Sequence, residues 1–99
     1  MTEGRWFEVD IPRGPDYARL LDTFMRDFCA VQKRASGGGG RLHHKANGTS
    51  DCYYVDPAAA QAYFLHPGRS ALADWMLKNH IARVAATNPD IKELRLLPC

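Results

Sequence analysis

Residues 50–70, SDCYYVDPAAAQAYFLHPGRS, constrain the fold more than any other stretch, because they admit two incompatible secondary structures. In the first, Cys52–Val55 is a short aromatic and β-branched strand, and residues 61–66 return as its antiparallel partner. Asp56 and Pro57 then serve as turn residues. In the second, Asp56 is an N-cap and Pro57 takes the first helical position, followed by three alanines. Alanine is the best helix former, and Ala59, Ala60, Tyr63 and Phe64 would share one helical face. Local chemistry does not separate the two. The hairpin is preferred because it completes a common two-layer topology.

The flanking segments are plainer. Residues 6–11, WFEVDI, alternate: Phe7, Val9 and Ile11 on one side, Trp6, Glu8 and Asp10 on the other. That is the pattern of a half-buried strand. From 16 to 35, Tyr17, Leu20, Leu21, Phe24, Phe28 and Val31 fall at helical spacing and form one apolar stripe. Residues 36–50 contain four consecutive glycines and predict a flexible loop. The run 36–40 has the composition of a linker, native or introduced. Ser70 is a good N-cap for a second long helix reaching about residue 86, and 91–97 reads as a final strand.

The hairpin reading gives β-α-β-β-α-β, an α+β two-layer sandwich of the ferredoxin-like, split βαβ kind. The helical reading gives β-α-β-α-α-β with a three-stranded sheet. Ninety-nine residues suit one domain, 1–99, with a core that needs neither disulfides nor metal. Hydrophobic content of 45% and a net charge of +2 are ordinary for a globular chain, and neither argues for nucleic acid by itself. No apolar run approaches membrane-spanning length. Cys29, Cys52 and Cys99 are odd in number and widely spaced, which predicts reduced thiols in a cytoplasmic setting.

Two surfaces carry functional expectations. The sheet face turned away from the helices is expected to present Trp6, Tyr54 and Phe64, and Trp75 falls outside the apolar arc of its helix. Exposed aromatics at these positions predict a protein-binding or regulatory surface, facing a partner or a second copy. The alternative is a basic pole. A split βαβ topology gathers Arg41, His43, His44, Lys45, His66 and Arg69 near the start of the second long helix, together with Lys33 and Arg34. Free N–H groups and the helix dipole there favour phosphate or a nucleic-acid backbone. The glycine run is no P-loop, since no Gly-Lys-Ser/Thr closes it. No cysteine or histidine pair has zinc-ligand spacing, and nothing visible activates Cys52. No cofactor, metal or catalytic constellation is therefore expected.

Overall fold

The computed structural model describes residues 4–36, 42–46 and 51–99. The elements run β1 (Phe7–Val9), α1 (Tyr17–Ser36), β2 (Leu42–Ala46), β3 (Asp51–Val55), α2 (Pro57–Tyr63), α3 (Ala71–Lys78), β4 (Ala82–Val84) and β5 (Arg95–Leu97). A single turn of 3₁₀ helix, Ile91–Glu93, precedes β5. The five strands form one antiparallel sheet in the order β4-β1-β3-β2-β5. Phe7, Val9, Leu42, Tyr53 and Val55 face the helices and share one core with Phe24, Phe28, Tyr63, Phe64, Ala73 and Met76. The fold is thus a small α+β layer pair, but neither expected element order is the one found.

The pivot is helical, which corrects the preferred hairpin. Asp56 accepts the Ala59 N–H at 2.9 Å and Pro57 opens the helix. The cap removes an orphan donor, and proline loses no hydrogen bond at that position. Ala59 and Ala60 are buried, so small side chains let α2 sit close to its neighbours. A hairpin does exist, one step earlier. β2 pairs with β3 over five rungs, from Leu42↔Val55 to Ala46↔Asp51. The expected flexible loop at 36–50 therefore holds a strand; its glycine run, Arg41 and residues 47–50 lie outside the described residues.

The second long helix is also shorter than its pattern. It stops at Lys78, where Asn79 caps it and His80 takes a left-handed conformation (φ 58°). The Ile81 N–H bonds the Met76 carbonyl (2.9 Å) and the His80 N–H bonds that of Leu77 (3.2 Å). This is a Schellman closure, and Met76 and Ile81, at its two apolar positions, are both buried in the core. The chain then turns into β4, which pairs with β1.

Cys29 and Cys99 form a disulfide, which corrects the expectation of three reduced thiols; Cys52 is free. The bond spans a sequence separation of 70 residues. Closing a loop of that size restricts the unfolded chain by about 4 kcal/mol on the chain-entropy account. Among the described residues, no helix is long and apolar enough to cross a membrane.

Candidate functional site

The last turns of α1, the end of α2 and the turn into α3 border a half-open cavity of about 400 Å³. Val31, Ala62 and Tyr63 form its apolar wall, while Arg34, His66, Arg69 and Ser70 supply its polar atoms. One carboxylate locks the three helices around it. Asp27 of α1 accepts from the Tyr63 hydroxyl (2.5 Å) and from Ser70 Oγ (2.6 Å). Ser70 Oγ in turn accepts the Ala73 N–H (3.1 Å), so one hydroxyl both caps α3 and ties it to α1. Burial, reinforced by the Asp27 contact, pushes the Tyr63 hydroxyl far above the usual phenol range. It is a neutral donor at any physiological pH.

The mouth is cationic. His66 accepts the Gly68 N–H on Nδ1 at 2.9 Å, which leaves the proton of the neutral ring on Nε2. A side chain at Gly68 would sit 3.3 Å from the His66 ring, so glycine permits this close approach. Arg69 donates through Nε and Nη2 to one oxygen of Asp74 (3.1 and 2.9 Å). Hydrogen bonds from Lys78 and Arg69 hold the Asp74 carboxyl below its ordinary range. Arg34 has no ion pair among the described residues. A second concavity of about 390 Å³ lies beside the first, and His66 lines both.

The expected basic pole is thus divided. His66 and Arg69 come together with Arg34, whereas His43, His44 and Lys45 belong to β2 and line neither cavity. Arg41 lies outside the described residues. Strand alternation separates the two adjacent histidines onto opposite faces. His43 contacts the Trp6 ring at 5.1 Å on the open face. His44 stacks on Tyr53 at 4.9 Å on the helix side. There His44 Nε2 lies 3.2 Å from Asp51, and Arg95 donates to Nδ1 at 3.4 Å. Arg13 and Tyr17 also reach Asp51. The hydrogen bond from His44, with the nearby Arg13 charge, keeps the Asp51 carboxyl below its ordinary value.

The expected aromatic face is largely dismantled. Phe64 is 0% exposed, stacked between Phe7 and Phe24, because the helical pivot turns it inward. Trp6 is only 8% exposed. Tyr54 is half-buried. Trp75 keeps its expected position, 45% exposed on α3.

On the open face, Glu8, Asp10 and Cys52 bring potential ligand atoms within 4.8 Å of one another. Arg83 pairs with both acids, so a guanidinium already supplies the positive charge there. Burial raises the Cys52 thiol to about 11, leaving it protonated at neutral pH.

Sequence reasoning missed the Asp27 hub and the Asp51–His44–Arg95 chain. A carboxylate beside an apolar stripe reads as ordinary helix surface, and Asp51 and Arg95 are 44 positions apart in the chain. No protein-family model matches this sequence, and neither a curated protein nor a solved structure does.

Proposed function

We propose that the chain is a non-enzymatic binding domain whose cavity between α1, α2 and α3 takes a small anion of the phosphate or phosphomonoester type. The carrying observation is the convergence of Arg34, Arg69 and the His66 ring on one concavity with an apolar wall. Arg34 is the cation free to move onto a ligand, Arg69 is held in place by Asp74, and His66 offers an Nε2 donor. Asp27 does not oppose an anion strongly, since two hydroxyls already donate to it. Guanidinium groups suit this role because their planar donors match phosphate oxygens.

Calorimetric titration with inorganic phosphate and with phenyl phosphate tests the reading. A charge-assisted hydrogen bond is worth about 1.5–3 kcal/mol, so Arg34→Ala should weaken binding by about tenfold or more. Lys45→Ala, on β2, should leave it unchanged. Absence of binding at low salt, or equal weakening by both variants, would remove the proposal.

A second reading rests on Trp75, a large apolar side chain exposed on α3. Tryptophan is enriched at binding hot spots, and contact with a protein partner or a second copy would cover it. Self-association is the directly measurable case. Sedimentation should show concentration-dependent association lost in Trp75→Ala; concentration-independent monomers of both proteins would count against the second copy. For the fold, the order β4-β1-β3-β2 supports reading the first four strands as a split βαβ pair with β5 added at one edge. A cytoplasmic setting would keep Cys29 and Cys99 reduced, and the cavity does not require their bond.

A further inference from the structure

The outermost strand, β5, is attached to the domain by unusually little packing. No residue from 86 to 99 is buried. Ala85 is the last anchored position, with its N–H bonded to the Trp6 carbonyl and its own carbonyl accepting from Arg5. Beyond it, Arg5 also reaches the Ala86 carbonyl at 3.5 Å, and among the described residues four further features hold the segment. β5 pairs with β2 over three rungs, Leu42↔Leu97, His43↔Leu96 and His44↔Arg95. Leu97 packs partly against the core. Lys45 pairs with Glu93 at 3.0 Å in an exposed position, and Arg95 reaches His44. The fourth feature is the Cys29–Cys99 disulfide, which fastens the segment to α1.

A three-rung edge strand with no buried side chain is marginal unless something else restrains it. Exposed ion pairs add little, because water screens them and ordering the side chains costs entropy. The covalent bond is different. It keeps β5 beside β2 whatever its other contacts contribute.

We propose that the Cys29–Cys99 disulfide is a redox latch that holds β5 over the β2 edge, and that its reduction releases residues 86–99 while the rest of the domain stays folded. The reductant is a dithiol. Its thiolate attacks one sulfur, its second thiol resolves the mixed disulfide, and Cys29 and Cys99 leave as thiols. The reductant closes to its own disulfide, so two electrons and two protons pass to the protein. Release has two consequences. The β2 edge loses its partner and presents unpaired backbone groups able to accept an extended strand. His44 loses its Arg95 contact while keeping Asp51 on its other nitrogen, which uncovers a hydrogen-bonded His–Asp pair.

The test is residue-resolved amide hydrogen exchange on the full chain, oxidised and after dithiothreitol, in a Cys52→Ser background that prevents reshuffling. Whichever amides of Arg95, Leu96 and Leu97 donate to β2 in the alternating antiparallel ladder should exchange at least about tenfold faster once reduced, while Val9 and Tyr53 keep their protection. Cys99→Ser without reductant should reproduce the reduced pattern. Trypsin cleavage after Arg95, read by mass after reductive quenching, should accelerate in parallel. Unchanged exchange and cleavage would mean that β5 holds itself. Equal acceleration at Val9 and Tyr53 would make the bond a staple of the whole fold. Either result overturns the latch.

Discussion

β4 and β5 are the two edges of one sheet, each three residues long and each antiparallel to its neighbour, yet they are secured by different means. β4 is held by what flanks it. Ile81, Ala82 and Ala85 are buried, the Ile81 carbonyl accepts from Asp10, and Arg83 reaches across to Glu8. β5 has no such flanks, and a covalent bond at Cys99 stands in for them. The comparison teaches that the strength of a short strand is decided outside the strand. Burial within a few residues anchors one edge, and a link to a distant helix anchors the other.

The comparison is sharpest where burial differs most. Ile81→Ala removes an apolar group packed between α3 and the start of β4. It should lower unfolding stability by about 2–4 kcal/mol, read by chemical denaturation. A loss below about 1 kcal/mol would mean that β4 is not secured by its flanks.

The next effect is on the acid side and belongs to the β5 edge. Asp51 has a depressed folded-state pKa, so its contribution to stability is present above the ordinary carboxylate value of 3.8. It is lost as pH falls from there through the lower folded value. Asp51→Asn should therefore flatten the acid limb of the stability–pH curve below about pH 4. An acid limb as steep as that of the parent chain would show that His44 and Arg13 do not stabilise the carboxylate. The smallest effect should be Leu96→Ala, within about 0.5 kcal/mol, because that side chain stands in solvent on β5. A loss comparable with that of Ile81→Ala would erase the contrast between the edges.

How much of this was legible depended on whether the deciding interactions were local. The stripe from Tyr17 to Val31 is local, and α1 follows it closely. The alternation from Trp6 to Asp10 is local too, and its two faces are the observed ones, although Trp6 turned out to be covered. The pivot carries its answer in Asp56 and Pro57, whose local capping chemistry decides for the helix, whereas the hairpin has only the frequency of a topology in its favour. β2 was hidden because its five residues stand between a glycine run and Asn47-Gly48, and His43, His44 and Lys45 do not read as a strand. Pairing with β3 and β5 supplies the order that local propensity does not. The cavity was legible in part, since Arg34, His66 and Arg69 were placed at one pole. The Cys29–Cys99 pairing could not be read from spacing, because contact between residues 70 apart is a property of the folded chain.

The left-handed turn at His80 has a consequence for how this architecture is inherited. A run of helix-compatible residues continues past Lys78, so the border between helix and strand is not written as a glycine or a proline. It is written as a dihedral angle that histidine tolerates better than most side chains do. A β-branched residue at position 80 would resist that angle and favour carrying the helix onward, at the expense of β4. The junction between α3 and β4 therefore sets one exposed histidine, outside the cavity lining and the buried core, at the backbone angle that ends the helix.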